Sequence, residues 1–193
     1  MTTVYFVRHG EYEGQGKYLA LRSKGFPLNT RGKKQAVKLA EFFAKKNISA
    51  LYTSPLLRTL ETAKIIGERI SLKVFEDKRL LEVKTPFDGV EIKKFEEMGG
   101  GNLMYKIPAQ IAKGESISEI ETRMASFLDD ILKKYKDKTV VIISHADPIM
   151  ILEYKIHTKD FSKINKKKDL YIEVGHFFEF VFNGKKIFQE RYV

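Results

Sequence analysis

Apolar runs of strand length alternate along this chain with amphipathic segments of helical periodicity, and this alternation strongly constrains the fold. The predicted strands carry the sequences TVYFVRH near the N-terminus, ISALYTS from residue 48, LKVFED from residue 72 and TVVIIS from residue 139. Helices are predicted over residues 28–46, 55–70 and 116–136, and a further helix near Pro148. Strands that alternate with helices form a mainly parallel sheet covered on both faces, so we predict a three-layer α/β/α sandwich.

The C-terminal part of the chain predicts a β-hairpin. Two apolar runs, LYIEVGHFFEFVF and KKIFQERYV, flank Asn183 and Gly184, a dipeptide typical of tight hairpin turns. The 193 residues contain no internal repeat and no linker-like stretch. We therefore expect residues 1–193 to form a single domain, with Thr30 capping the first helix and Pro55 in the first turn of the second.

Composition excludes several classes of site and partner. The chain has no cysteine, which rules out disulfides, thiolate nucleophiles and cysteine-ligated zinc. No apolar run is long enough to cross a bilayer and the N-terminus does not resemble a signal peptide, so we expect a cytoplasmic protein without membrane contact. The net charge is +10, but most basic residues are spread along amphipathic helical segments. The densest basic run, residues 162–170, lacks interleaved aromatics, and we expect no nucleic-acid partner.

Polar residues stand where several predicted strands end. Arg8 and His9 end the first strand, residues 54–58 follow the second, Glu82 follows the third, and His145 ends the strand TVVIIS. Ligands of parallel sheets bind outside the carboxyl ends of the strands. These four segments are therefore expected to converge on one site.

Five motifs carry a family resemblance. VRHGE, PLNTRGKKQA, LYTSPLLRTLETAKII, RLLEV and VVIISHAD occur in the order and spacing of the histidine phosphatase superfamily, which has the phosphoglycerate-mutase-like fold. The chain resembles this family over nearly its whole length. The resemblance implies a phosphomonoester hydrolase that acts through a phosphohistidine intermediate on His9, with no metal and no other cofactor.

Phosphoryl transfer requires an in-line nucleophile, fixed positive charge around the phosphoryl oxygens and a proton for the leaving group. His9 suits the first role as a neutral imidazole, and the resemblance implies that a backbone carbonyl holds the proton of its other ring nitrogen. Arg8 and Arg58 suit the second role, because guanidinium groups bind phosphate oxygens in a bidentate manner. His145 resembles the family's second pocket histidine, which we expect to bind a phosphate oxygen as an imidazolium.

Two further residues are predicted to contact substrate. Ala146 takes a place that the family often gives to Gly, and its backbone N–H is expected to donate to the phosphoryl group. Gln15 stands where mutase-like members usually carry Asn, although a surface glutamine is an equal alternative.

The identity of the proton donor is left open between two carboxylates. Glu82 resembles the family's catalytic glutamate, and we favour it. Asp147 competes because another branch of the superfamily places a donor aspartate directly after its second histidine, yet it is also expected to cap a helix at Pro148. Before phosphate binds, Arg8 and Arg58 are expected to lower the pKa of Glu82, and a bound phosphate dianion is expected to raise it.

Residues 82–114 are predicted to form an insertion that selects the leaving group, through the apolar residues Phe87, Phe95, Met98, Tyr105 and Ile107. The expected substrate is a small-molecule phosphomonoester, and the chain is expected to be a monomer or a homodimer.

Two other functions remain as alternatives. One is a cofactor-dependent phosphoglycerate mutase, although the chain lacks tryptophan and the extra length of typical mutases. The other is a non-catalytic module that binds phosphate or phosphoproteins. The remaining histidines, His157 and His176, match no motif, and the histidines do not have metal-ligand spacing, so no metal site is predicted.

Overall fold

The structure is a computed structural model that describes residues 1–100, 114–163 and 170–193. Within these ranges six strands form one sheet in the order β3-β2-β4-β1-β5-β6. The strands are β1 (Thr2–Arg8), β2 (Ile48–Thr53), β3 (Val74–Glu76), β4 (Thr139–Ser144), β5 (Phe177–Asn183) and β6 (Lys186–Tyr192).

The sheet is mainly parallel, as predicted. β4 pairs in parallel with both β1 and β2, and β2 pairs in parallel with β3. The C-terminal hairpin is antiparallel, with β5 added to β1 and β6 added to β5. In the register of β1 and β4, Arg8 lies opposite Ser144, so the residues that follow these strands emerge side by side.

Helices cover both faces of the sheet. They are α1 (Thr30–Phe43), α2 (Leu57–Ile70), α3 (Ile92–Glu97), α4 (Ile117–Lys134) and α5 (Ala146–Ile156). On one face a core contains Tyr5, Val7, Leu51, Val141 and Ile143 together with residues of α1 and α2. On the other face Val4, Phe6, Val140 and Ile142 pack with residues of α4, α5 and β5. Alternate residues of β1 and β4 thus enter opposite cores, which confirms the three-layer α/β/α prediction.

The cap of α1 differs from the prediction. Asn29, not Thr30, is the N-cap, and its Oδ1 accepts a hydrogen bond of 2.8 Å from the backbone N–H of Gly32. Its Nδ2 donates to Glu11 Oε1 at 2.7 Å. Asn29 is favoured as the N-cap because its side chain caps the helix and also bonds to the loop after β1.

Two other helix starts also differ from the prediction. Pro55 precedes α2 instead of lying in its first turn, because the helix begins at Leu57 with Leu56 as N-cap. α5 begins at Ala146 with His145 as N-cap, so Asp147 lies inside the first turn and the predicted cap at Asp147 is wrong.

The first half of the run LYIEVGHFFEFVF is not a strand, because residues 170–176 cross the end of β1 before β5 begins. In this segment Gly175 N donates to the carbonyls of Arg8 and His9, and Ile172 O accepts from the Arg8 guanidinium. Backbone groups of this segment therefore form hydrogen bonds with the last residues of β1, so they are not available to continue the ladder of β5.

The insertion at 82–114 is described up to residue 100 and at residue 114. Phe87 and Phe95 are buried in the core with their rings 5.1 Å apart, whereas Met98 is exposed. Tyr105 and Ile107 lie outside the described residues, as does most of the basic run at 162–170. Every helix of the described ranges is too short or too polar to span a bilayer.

Candidate active site

The segments that follow β1, β2 and β4 meet around one cavity of about 310 Å³ at the carboxyl edge of the sheet. All of the predicted site residues except His145 line this cavity directly, and His145 contacts Arg58, which is one of the lining residues. The lining includes Arg8, His9, Tyr12, Gln15, Tyr18, Arg58, Glu82, Ala146, Asp147 and Tyr171. The structure therefore brings together residues that are up to 163 positions apart in the sequence, from Arg8 to Tyr171.

His9 lies at the floor of the cavity with one ring nitrogen fixed as a donor. Its Nδ1 donates to the carbonyl oxygen of Gly10 at 2.8 Å, the backbone partner that the resemblance implied. Its Nε2 accepts a hydrogen bond of 3.1 Å from Arg58 Nε. Burial, and then the positive charges of Arg58 and Arg8, hold the pKa of His9 well below its ordinary value. The imidazole is therefore neutral, and its Nε2 carries the free electron pair.

Gly10 is required for this floor because the backbone approaches α1 closely. A Cβ atom at Gly10 would lie 2.6 Å from the carbonyl oxygen of Gly32. Gly10 N also donates to Thr62 Oγ1 on α2 at 3.1 Å. The loop that orients His9 is thus fixed against two helices.

Arg58 links the two histidines of the site. It is only 2% exposed, and its Nη2 donates to the Leu21 carbonyl at 2.8 Å and to His145 Nδ1 at 3.1 Å. Because Arg58 can only donate, His145 Nδ1 accepts, and His145 Nε2 therefore carries the proton and donates to Ser54 Oγ at 2.8 Å.

Without phosphate, the surroundings of His145 favour the neutral imidazole. Burial, and then the positive charges of Arg58 and the other cationic side chains nearby, hold the pKa of His145 well below its ordinary value. A second positive charge beside Arg58 is unfavourable in a buried site, so His145 is neutral in this arrangement.

Arg8 carries a donor that has no hydrogen-bond partner in the described part of the chain. Its Nη1 donates to the Ile172 carbonyl at 2.8 Å, which holds the guanidinium at the cavity. Among the described residues, Arg8 Nε is the one buried side-chain nitrogen or oxygen atom without a hydrogen-bond partner. Because an unsatisfied buried donor is costly, this N–H is available to an anion in the cavity.

Glu82 differs from its expected electrostatics. Burial first, and then the negative charge of Asp147, raise the pKa of Glu82 to about 7, against the opposing effects of the Val83 N–H, Arg58 and Arg8. The two arginines do act to lower the pKa of Glu82, but the expected net lowering was wrong, because loss of hydration outweighs their attraction. A carboxyl with this pKa carries a proton in about half of the molecules at neutral pH.

Asp147 occupies the same cavity wall but has a different partner. It is 4% exposed, and its Oδ1 accepts a short hydrogen bond from the hydroxyl of Tyr171. Its place in the first turn of α5 puts its carboxylate at the positive end of the helix dipole. These contacts favour the ionised form of Asp147.

Gln15 and Ala146 both line the cavity. The Oε1 atom of Gln15 accepts a hydrogen bond from Tyr12 N at 3.4 Å. Ala146 is the first residue of α5, so its backbone N–H lies at a helix N-terminus, where anions are favoured.

Tyr12 and Tyr171 are site residues that the sequence did not reveal. The Tyr12 ring lies 5.3 Å from the Arg58 guanidinium and 5.7 Å from the His9 ring. Tyr12 follows VRHGE directly, a position that could have indicated its role. Tyr171 had no such signal, because its segment was read as a strand.

A second cluster of potential metal ligands lies at the opposite end of α5. Glu153, His157 and Glu190 place their ligand atoms within 4.8 Å of one another. His157 Nε2 already contacts Glu190, and Lys159 Nζ lies 3.5 Å from Glu153. Because the cluster satisfies its own charges in this way, we assign it to ion pairing. The fourth histidine, His176, stacks on Tyr192 at 5.9 Å, outside the cavity.

Comparison with known proteins relates this geometry to a family. The family model described as "Histidine phosphatase superfamily (branch 1)" matches residues 4–175. Phosphoserine phosphatase 1 of Hydrogenobacter thermophilus is 29% identical over 170 residues, which cover 84% of this chain and 80% of that protein. A probable phosphoglycerate mutase GpmB of Serratia proteamaculans is 32% identical over 155 residues, which cover 76% of this chain and 70% of that protein.

Solved structures agree with the fold. A phosphoserine phosphatase variant of Entamoeba histolytica, in complex with phosphoserine, has a TM-score of 0.79 and 25% identity, and the match covers 98% of this chain and 96% of that chain. YhfR of Bacillus stearothermophilus has a TM-score of 0.81 at 22% identity, with 97% and 94% covered. The family match over nearly the whole chain, together with the converging motifs, confirms the predicted relationship: the chain belongs to branch 1 of the histidine phosphatase superfamily.

Proposed function

We propose that this phosphatase hydrolyses small phosphomonoesters by transferring the phosphoryl group first to Nε2 of His9 and then to water. One observation carries the proposal: Nδ1 of His9 keeps its proton and donates a hydrogen bond to the Gly10 carbonyl, so the unprotonated Nε2 faces Arg58 at the cavity. A neutral imidazole fixed in this tautomer is a competent nucleophile towards phosphorus.

In the first step the bond between His9 Nε2 and phosphorus forms while the bond from phosphorus to the ester oxygen breaks. The leaving oxygen takes a proton from Glu82 and departs as the alcohol. In the second step water attacks phosphorus, the nitrogen–phosphorus bond breaks, and Glu82 takes up a proton from the water. Each cycle therefore returns His9 and Glu82 to their starting forms.

Arg8, Arg58 and the N-terminus of α5 supply the positive charge for the phosphoryl oxygens. Arg8 Nε has no partner among the described residues, and the Arg58 donors now directed at His9 and His145 would turn to the phosphoryl oxygens. Once Arg58 bonds phosphate, His145 is released from its acceptor role and can bind a proton and a phosphate oxygen. Removing one such donor from a transition state typically costs about a hundred- to a thousandfold in rate.

Glu82 is the proposed proton donor because burial keeps part of its population protonated at neutral pH. Asp147 is less suited to this role, since the Tyr171 hydroxyl and the helix N-terminus favour its ionised form. Gln15 is the proposed substrate contact at the rim of the cavity, and the Ala146 N–H is the proposed contact to the phosphoryl group.

The proposed substrates are small phosphomonoesters of aliphatic alcohols, with phosphoserine as the first to assay. Relatives named as phosphoserine phosphatases support this class. Leu19, Leu21 and Ile92 line the cavity beside the polar groups, so residues near the start of the insertion contribute to the wall around the leaving group. We propose that this described part of the insertion helps to select the leaving group, within a single domain spanning 1–193.

Phosphoglycerate mutase is the second candidate, because relatives of that name are up to 32% identical to this chain. A mutase must return the phosphoryl group to a sugar acid before water attacks. Turnover of 3-phosphoglycerate that depends on added 2,3-bisphosphoglycerate and exceeds phosphate release would replace the hydrolase proposal.

The decisive experiment is acid-free quenching of the reaction with a radiolabelled phosphomonoester, followed by mapping of the acid-labile label. We expect label on the peptide that contains His9 and burst release of the alcohol. The His9→Ala variant should give neither, while His176→Ala, the matched control outside the cavity, should give both. Label on any other side chain, or turnover without labelled protein at any quench time, would overturn the proposal.

A further inference from the structure

We propose that Asp147, held by the hydroxyl of Tyr171, is a positioning residue that keeps the catalytic proton on Glu82. The proposal rests on the proposed function of Glu82 as proton donor and goes beyond it. It assigns a task to a carboxylate that lies in the cavity and has no direct part in the two chemical steps.

The geometry places two carboxyl groups in one buried site. Glu82 and Asp147 are 8% and 4% exposed, and both line the cavity that holds His9. Two carboxylates that share a desolvated site do not both ionise readily, so at neutral pH the pair retains a proton. This proton can lie on Glu82 or on Asp147.

The surroundings of the two groups differ, and the difference assigns the proton. Asp147 accepts from the Tyr171 hydroxyl and lies in the first turn of α5, where the helix dipole favours negative charge. The Glu82 carboxyl accepts from the backbone N–H of Val83, the residue that follows it, at 2.9 Å. Negative charge is therefore better stabilised on Asp147, and the proton remains on Glu82.

Tyr171 is suited to be a permanent donor. Burial, and then the negative charge of Asp147, raise the pKa of Tyr171 well above its ordinary value. The hydroxyl therefore stays protonated throughout the pH range of activity and continues to donate to Asp147.

The other groups that face Glu82 come from every neighbouring element. Arg8 at the end of β1 and Arg58 on α2 oppose the effect of Asp147, and Arg22 donates to the backbone carbonyl of Glu82 at 2.7 Å. Tyr12, His9 and His145 are neutral. Arg22 is itself paired with Glu115 at 2.8 Å. Asp147 is the carboxylate whose charge raises the pKa of Glu82, and it thereby opposes Arg58 and Arg8, which would otherwise draw the proton from Glu82.

The same charge assists both chemical steps. It keeps Glu82 loaded with a proton for the leaving oxygen, and it strengthens the resulting Glu82 carboxylate as the base that takes a proton from water. The proposal therefore predicts a pH profile that moves with the charge of residue 147, which a merely structural link would not produce.

Two variants separate charge from hydrogen bonding. Asp147→Asn removes the charge but leaves an oxygen that can accept from Tyr171, whereas Tyr171→Phe keeps the charge and removes the donor. The titration of Glu82 is followed by ¹³C carboxyl NMR in protein without added phosphate, with Glu82→Gln assigning the signal. Asp129→Asn is the control, because Asp129 is an exposed residue paired with Lys185.

We expect Asp147→Asn to lower the Glu82 midpoint by at least about one pH unit, so that the ratio of kcat/KM at pH 8 to kcat/KM at pH 5 is about tenfold lower than the same ratio in wild type. Tyr171→Phe should raise the midpoint and reduce the Glu82 amplitude, since Asp147 then takes more of the shared proton. Asp129→Asn should change neither.

An unchanged or raised Glu82 midpoint in Asp147→Asn would overturn the proposal. A lowered or unchanged Glu82 midpoint in Tyr171→Phe would also overturn it. If Asp147→Asn does not fold, the Tyr171→Phe result decides alone. A pH-independent loss of at least a thousandfold in Asp147→Asn, with activity retained in Glu82→Gln, would make Asp147 the donor instead. The titration needs no turnover, so failure of the proposed phosphatase reaction would be seen separately in the wild-type assay.

Discussion

The two ends of helix α5 hold similar sets of ionisable residues and have different properties. At its N-terminus, His145 lies with the carboxylates Glu82 and Asp147. At its C-terminus, His157 lies with the carboxylates Glu153 and Glu190. We refer to these sets as the N-terminal cluster, which also includes Arg8, His9 and Arg58, and the C-terminal cluster, which also includes Lys159.

Burial and helix polarity separate the two clusters. His145 is fully buried, whereas the His157 side chain is 32% exposed. The N-terminal cluster combines two arginines with the positive end of the helix dipole, so it favours a phosphate dianion. The C-terminal cluster has one exposed lysine and the negative end of the helix, and its two carboxylates already contact His157 and Lys159. A histidine with two carboxylates therefore becomes a phosphate site only where fixed positive charge and exclusion of water are added.

The largest expected effect concerns the nucleophile of the N-terminal cluster, which has no counterpart in the C-terminal cluster. His9→Ala should lower kcat/KM by about ten-thousandfold or more, because no other side chain of the cluster can form the phosphoenzyme in line. His157→Ala, in the other cluster, should stay within about twofold of wild type. Steady-state assays with phosphoserine measure both, and comparable losses in the two variants would contradict the assignment of the site.

The second prediction concerns the cations of the two clusters. Arg58→Lys should lower kcat/KM by about a hundred- to a thousandfold, because lysine keeps the charge but cannot contact His9, His145 and phosphate with one rigid group. Lys159→Gln, which removes the cation of the C-terminal cluster, should leave kcat/KM unchanged. A tolerated Arg58→Lys would mean that charge alone, without the guanidinium geometry, serves the reaction.

The third prediction tests the difference in burial between the two clusters through the pH dependence of the free energy of unfolding. The raised pKa of Glu82, about 7 when folded against 4.5 as its ordinary value, means that the folded protein binds a proton more tightly than the unfolded chain. Its contribution is therefore fully present below pH 4.5 and is lost as pH rises to 7. Between pH 4 and pH 8 the Glu82→Gln variant should gain about 3 kcal/mol in unfolding free energy relative to wild type.

Glu153 provides the matched test in the C-terminal cluster. Burial also raises its pKa, but Lys159 opposes the shift. Glu153→Gln should change the pH dependence of unfolding in the same direction by a smaller amount. Urea denaturation at several pH values measures both variants, and an equal or larger effect at Glu153 would remove the contrast in burial on which the comparison rests.

The smallest expected effect is on the histidine of the C-terminal cluster. His157→Gln should lower the unfolding free energy by about 1 kcal/mol or less, because a partly exposed pair gains little over its hydrated groups. Activity should be unchanged. A metal-dependent rise in Tm with Zn²⁺ or Mn²⁺ that is lost in His157→Gln would instead show that this cluster binds a cation.

Much of the site could be predicted from the sequence because its residues sit next to strong local signals. Arg8, His9 and His145 directly follow apolar runs that had to be buried strands, and parallel strands end at one edge. Glu82 was placed correctly at this edge, but its electrostatics were predicted with the wrong sign. The pKa of a carboxyl depends on how much water the fold removes, and chain position does not report this quantity.

The misplaced helix cap has a related cause. Asp147 before a proline is a good cap by local preference, but His145 takes the cap and Asp147 turns to Tyr171 from a distant segment. Tyr171 itself was assigned to a strand because its neighbours are apolar and β-prone. Its segment leaves the sheet to bond the end of β1, a long-range contact that local propensity does not contain.

The sequence by itself determined the alternation of strands and helices, the parallel sheet and the side chains that meet at the proposed phosphate site, because these follow from short-range periodicity and from motifs at strand ends. The tertiary structure alone decided the protonation of the site. Whether His145 is charged, whether Glu82 holds a proton and what Asp147 contacts depend on burial and on the distances between charges from separate segments, and only the folded chain fixes these distances.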